Sequence, residues 1–224
     1  MYETFSKTHI PDIDFAAYPV ISVVGAGGKT TLIHLLADKF MLESGRPDIG
    51  NSPASVLITT TTHMYIEQGA DLSCDRDLIC GKLRQGGIVM AGSPCISEPR
   101  KLGRLPSDVF RVAAAHAGLT LIEADGAKHF PAKYPAENEP VIIPETNLII
   151  IVMGLKSIGK KIKDAVFRYE LMLAEFSEAG IYISPETIVD CELLIKIIEY
   201  GYIRKLTEEF PKATILPLFS NIEL

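Results

Sequence analysis

Apolar runs that alternate with helix-like segments predict an α/β protein, a three-layer α/β/α domain built on a mostly parallel sheet. Three observations carry this. Six short runs rich in Val, Ile and Leu, at 20–24, 55–60, 88–91, 119–123, 147–152 and 213–217, are mostly continuous rather than alternating with polar residues. Strands covered on both faces have that character. Helix-like patterns at 31–43, 107–117, 164–179 and 185–200 fall between them, and strand alternating with helix implies right-handed crossovers. The first run also ends in a glycine cluster followed at once by a helix-like segment. In such folds, ligands bind beyond the carboxyl ends of the strands, so the residues just after each run are the ones to read for function.

The run at 20–24 leads into Gly25-Ala26-Gly27-Gly28-Lys29-Thr30-Thr31. Without a Cβ, glycine takes positive φ and lets backbone N–H groups approach an anion closely. The helix that follows presents free N–H groups and the positive end of its dipole to the same point. Lys29 can add a cation for β/γ-phosphates, and the Thr30 hydroxyl is placed for Mg²⁺. The common phosphate-loop pattern G-x-x-x-x-G-K-[ST] would put its first glycine at Val23, but the shorter Gly25-x-x-Gly28-Lys29-Thr30 fits. A Rossmann fingerprint, G-x-G-x-x-G, matches Gly25 and Gly27, but Thr30 stands where its third glycine belongs. The following strand also ends in threonines rather than an acid for a ribose hydroxyl. The phosphate loop outweighs the NAD(P) reading, which stays as an alternative.

The run at 55–60 ends in Thr59-Thr60-Thr61-Thr62-His63-Met64. Threonine favours strands in any case, yet hydroxyls and an imidazole at a carboxyl end could contact a γ-phosphate, Mg²⁺ or an attacking water. His63 is a candidate acid/base; a purely structural histidine is the alternative. The run at 119–123 delivers Glu123, followed by Asp125 and Gly126. Beside a phosphate loop, that is where a Mg²⁺ ligand or water-orienting acid belongs. Glu123 and Asp125 are expected to take opposite faces if the strand continues, so that only one shares a site with Lys29. Glu123 is assigned to the metal shell with Thr30, and Asp125 to a conformational or substrate role. The catalytic candidates are thus Lys29, Glu123, His63 and Asp125.

The proline-rich stretch 126–146 reads as an ordered loop whose Lys128, His129 and Lys133 either contact a substrate or are ordinary exposed residues. After the run at 147–152, Lys156, Lys160, Lys161 and Lys163 form either a phosphate-friendly cluster or a solvated loop, the blander reading being preferred. For the last helix, Ser184 before Pro185 marks a start and Gly201 a stop. Residues from about 154 to 210 are more helical than the rest, and a small C-terminal helical appendage there is the alternative to a plain single domain over 1–224.

A length of 224 residues suits one large domain with a sizeable core. The net charge of −6 gives no nucleic-acid or anionic-membrane signature. No apolar run approaches the ~20 residues that cross a bilayer, and no signal pattern opens the chain, so a cytoplasmic protein is expected. The four cysteines include no Cys-x-x-Cys pair, which favours free thiols over a zinc site.

Several separated motifs, in order, carry a resemblance. They are Val-Gly-Ala-Gly-Gly-Lys-Thr-Thr-Leu at 24–32, Thr-Thr-Thr-Thr-His-Met at 59–64, Lys-Leu-Gly-Arg-Leu at 101–105, Glu-Ala-Asp-Gly-Ala-Lys at 123–128 and Glu-Pro-Val-Ile-Ile-Pro at 139–144. From about residue 18 onward the chain resembles the YqeC family, P-loop NTPase-like proteins described as selenium-dependent hydroxylase accessory or selenium cofactor biosynthesis proteins. The resemblance implies a nucleoside triphosphate, ATP or GTP, with Mg²⁺, and a role in maturing selenium-dependent molybdenum hydroxylases. The glycine loop alone also resembles that of Mur-type ligases. A C-terminal Asn-Lys-x-Asp that would read guanine is not intact; Ser220-Asn221-Ile222-Glu223-Leu224 offers only Asn221. Phe167-Arg168 matches a family apolar-Arg pair with no role assigned by the sequence.

Overall fold

The computed structural model describes residues 3–44 and 53–221. In chain order its strands are β1 (Glu3–Phe5), β2 (Val20–Gly25), β3 (Ser55–Thr60), β4 (His63–Tyr65), β5 (Gly87–Met90), β6 (Ser93–Pro94), β7 (Lys101–Gly103), β8 (Leu119–Glu123), β9 (Ala132–Lys133), β10 (Leu148–Gly154), β11 (Val166–Phe167) and β12 (Thr214–Ser220). The helices are α1 (Lys29–Ser44), α2 (Arg76–Gln85), α3 (Ser107–His116), α4 (Ile162–Ala165), α5 (Tyr169–Glu178), α6 (Cys191–Ile198) and α7 (Arg204–Glu209), with a π-helical turn, Glu199–Ile203, joining the last two.

Seven strands form one sheet in the order β1-β12-β10-β2-β8-β3-β5, and every pair in it is parallel. Side chains alternate across a strand, and here both faces are apolar. Strand β10 shows this plainly: Leu148, Ile150 and Val152 share a core with Leu32, Ile33 and Leu36 of α1. Ile149, Ile151 and Met153 instead join α2, α3, α5 and α6 through Ile79, Phe110, Phe176 and Leu194. This is the three-layer α/β/α arrangement, and it explains why the strands read as unbroken apolar runs.

The helical region departs from its expected boundaries at three places. The expected helix 164–179 is broken: Val166 and Phe167 pair with Ala132 and Lys133 as two short parallel strands. Arg168 follows with a left-handed φ of 62° before α5 begins. The expected start at Pro185 also fails. The backbone of Pro185 and Thr187 accepts hydrogen bonds from Lys163 and Ile162, so this segment is a turn laid against α4. Helix α6 begins instead after Asp190, whose side chain accepts the Leu193 N–H at 2.8 Å. Nor is Gly201 a stop. It lies inside the π-helical turn, where an added Cβ would sit 2.8 Å from Pro135 Cδ, so glycine is there for packing.

At the carboxyl edge the register sets the neighbours of the glycine loop. Gly25 stands opposite Val152 on one side, while Val23 stands opposite Glu123 on the other, and Glu123 in turn faces Thr60. Among the described residues no helix is long and apolar enough to cross a membrane.

Candidate functional site

The glycine loop leaves β2 under tight constraint. Gly25 and Gly27 have φ of +92° and +80°, and a Cβ on Gly25 would lie 2.1 Å from Val152 O. The Gly25 N–H donates to Asp125 Oδ2 at 3.0 Å, and the Ala26 N–H donates to Val152 O at 2.8 Å. These bonds hold the base of the loop. Beyond it, no hydrogen bond among the described residues takes up the N–H groups of Gly27, Gly28, Lys29 or Thr30. They are the free amides expected at a helix start, and Gly27 to Thr31 line a cleft of about 790 Å³. Gly25 and Ala26 lie beneath that surface and shape the loop from behind.

Lys29 is 5% exposed. Its Nζ donates to Gly25 O at 2.8 Å and lies 3.2 Å from Asp125 Oδ1 and 4.0 Å from Glu123 Oε1. Both acids therefore converge on Lys29, which corrects the expectation that only one could. Residues two apart along a strand lie on one face, so Asp125 follows Glu123 on the same side rather than the opposite one. Burial pushes the Glu123 carboxyl above its usual range, opposed by the Lys29 charge and by a hydrogen bond from Thr30. That bond runs from Thr30 Oγ1 to Glu123 Oε2 at 2.8 Å. Two oxygen donors at the rim of free amides suit Mg²⁺, which takes one or two protein ligands and completes its shell with water and phosphate.

The threonines divide by role. Thr60 donates its hydroxyl to Glu123 O at 2.6 Å and accepts the Thr62 N–H at 3.0 Å, tying the ends of β3 and β8 together. Thr59 lines a separate cavity beside Arg104. Thr61 Oγ1 is out of solvent with no hydrogen-bond partner among the described residues, and Thr61 lines the main cleft. Thr61 lines the second cavity as well, and an unpaired buried hydroxyl of this kind calls for an explanation. His63 lines the same cleft as an exposed residue of β4.

A buried charge array behind the loop is not legible in the sequence. Lys133, one of the lysines whose ordinary reading is exposed, is 0% exposed. Its Nζ lies 3.0 Å from Asp125 Oδ2 and 2.6 Å from Glu139 Oε2, and donates to Gly126 O at 2.6 Å. Glu139 also accepts both terminal nitrogens of Arg168, the second bond at 3.1 Å. Burial works to raise the Glu139 carboxyl, but Arg168 and Lys133 together hold it below the usual range. Tyr202, in the π-helical turn, donates to Asp125 Oδ2 at 3.4 Å, and burial beside Asp125 and Glu139 drives its hydroxyl well above its ordinary pKa. The residues of this array come from scattered segments of chain, which is why spacing could not reveal it. The one signal was a lysine flanked by Ala132 and Tyr134 between two prolines.

Tyr65, Lys101, Lys128 and His129 also line the cleft. Lys128 and His129 both have left-handed φ, 46° and 65°. Of the later lysines, Lys161 and Lys163 pair with Glu186 at the surface, and none of Lys156, Lys160, Lys161 and Lys163 lines the cleft. All four cysteines are free, and among the described residues no three metal-binding side chains of the His, Cys, Asp and Glu types cluster. Asn221 is exposed, and its N–H donates to Phe5 O at 2.9 Å; 222–224 lie outside the described residues.

A family model described as "YqeC protein" matches residues 21–170. The chain is 36% identical over 151 residues to "Uncharacterized protein YqeC" of Escherichia coli (strain K12), covering 64% of this chain and 54% of that protein. The chain thus spans about half the length of this curated relative. No solved structure matches.

Proposed function

This chain belongs to the YqeC family, and we propose that it is a Mg²⁺-dependent nucleoside triphosphate-binding protein, an NTPase or NTP-dependent transferase. The observation that carries the reading is the set of unpaired amides from Gly27 to Thr30 with the Lys29 ammonium beside them, opening on a cleft of about 790 Å³. Ligand clefts have volumes of roughly 300–1,000 Å³. The amides would hold phosphate oxygens along the helix N-terminus. Lys29, already fixed by Gly25 O, would offset charge on the β/γ-phosphates without reorganising. Thr30 and Glu123 would hold Mg²⁺, which when bound neutralises charge developing on the phosphates. Thr61 and Thr62 follow β3, which pairs with β8, and His63 opens β4; there they would orient a water or acceptor group.

Calorimetry with ATP, GTP and NADH, each with and without Mg²⁺, tests the reading. Mg²⁺-dependent binding of ATP or GTP supports it; NADH binding without Mg²⁺ dependence would point to the dinucleotide alternative. A second reading is a non-catalytic, nucleotide-switched accessory or carrier protein. The ion-pair chain from Asp125 through Lys133 and Glu139 to Arg168 favours it, because loop occupancy could be felt at the α4–α5 break. Tight binding with negligible turnover, and partner capture that depends on nucleotide, distinguishes the two. The part played in maturing selenium-dependent molybdenum hydroxylases rests on the family resemblance. Its test is hydroxylase activity in cells that lack the protein.

A further inference from the structure

We propose that Arg168 is the second cation of the phosphate site, contacting the terminal phosphate of a bound nucleoside triphosphate within the cleft that the glycine loop lines. The inference rests on the nucleotide-binding reading above and adds to it a residue that separates triphosphate from diphosphate.

Three independent observations converge on Arg168. Its guanidinium is gripped by both oxygens of Glu139 and lies over the Phe167 ring, 4.8 Å from its centroid. Such a planar fork on a carboxylate and an aromatic face holds a long side chain in one orientation before any ligand arrives. Its backbone has a left-handed φ of 62° at a non-glycine residue, between α4 and α5. Conformations of that kind persist where surrounding structure over-determines them, often at ligand clamps. Finally, Arg168 is among the residues lining the same cleft as Gly27 to Thr31, with its side chain 28% exposed.

The charge sequence behind it supports the assignment. Lys29, Asp125, Lys133, Glu139 and Arg168 alternate in sign, with a cation at each end. The inner three are buried or nearly so, and both terminal cations line the cleft. A buried ion-pair network is costly to desolvate and is weak evidence for stability on its own. What it does here is tie two cations of one cleft together through a single chain of ion pairs. A polyphosphate anion is the ligand class that two such cations and a row of free amides recognise together. Lys29 serves the β/γ-phosphates beside the loop, and Arg168 adds a second contact to the outermost one.

The test compares Arg168→Ala and Arg168→Lys with the unaltered protein, by calorimetry with the Mg²⁺ complexes of ATP and GTP and of ADP and GDP, alongside thermal unfolding. The expected result is at least a tenfold loss of triphosphate affinity in Arg168→Ala, with diphosphate affinity within twofold and the fold retained. Arg168→Lys keeps the charge but not the fork, and should fall between. Equal losses for triphosphate and diphosphate, or no loss in either variant, overturn the assignment. If Arg168→Ala does not fold, an Arg168→Lys protein that binds both forms as the unaltered protein does would overturn it as well. Unaltered protein that binds no nucleotide at all overturns the proposed function, and the inference with it.

Discussion

Asp125 accepts the backbone N–H of Gly25 at 3.0 Å, joining the two across 100 positions of sequence. The same carboxylate lies between the Lys29 and Lys133 ammonium groups. One buried acid therefore shapes the glycine loop and positions its lysine, while the neighbouring Glu123 faces Thr30. The loop is held from behind, which leaves its front amides free.

Lys29→Ala removes a charge from the edge of the cleft while leaving Asp125 paired with Lys133. A hydrogen bond to a charged group is worth about 1.5–3 kcal/mol, so Mg²⁺-nucleotide affinity should fall roughly tenfold to a hundredfold. Calorimetry reads this directly, and circular dichroism should show the fold retained.

Lys133→Met leaves Asp125 and Glu139 buried with one cation fewer between them. Breaking a buried pair by removing one partner costs about 3–5 kcal/mol. The midpoint of urea unfolding should drop accordingly. An unchanged midpoint would show that the array contributes nothing to the fold.

Glu123→Gln should raise stability at neutral pH while abolishing the Mg²⁺ dependence of nucleotide binding. Burial raises the folded-state pKa of Glu123, so the folded chain holds this proton more tightly than the unfolded one. Stability from that group is present below the unfolded pKa and lost as pH rises through the folded value. A neutral amide avoids this loss, and a gain of a few degrees in melting temperature is expected. Thermal scans with the variant and metal titration of nucleotide binding check both halves.

For Glu139 the sign is opposite. Its folded-state pKa lies below the ordinary value, because Arg168 and Lys133 overcome the effect of burial. It contributes stability above the unfolded pKa that is lost as pH falls through the folded value. Glu139→Gln should therefore flatten the acid side of the stability–pH profile below about pH 4.5, as read from urea unfolding at a series of pH values.

Gly25→Ala should be severe. The added Cβ would sit 2.1 Å from Val152 O at a φ of +92°, so both the β2–β10 ladder and the loop must shift. A loss above about 2 kcal/mol in urea unfolding is expected, with nucleotide binding falling in parallel.

The strand–glycine loop–helix order, the unbroken apolar strands and the placement of Glu123 at a strand end were all readable from the chain, because periodicity and glycine chemistry are local properties. So was the convergence of Lys29, Thr30 and Glu123, since a parallel sheet brings successive strand ends to one edge. Tertiary structure alone decided the rest. It put Lys133 in the interior and gave Glu139 and Arg168 each other, and it broke the expected helix at Val166 by pairing that segment with Ala132. It also set Asp125 between Lys29 and Lys133. These outcomes depend on which distant segments meet; apolar neighbours such as Ala132 and Tyr134 hint that a lysine is buried but do not name the carboxylate it meets.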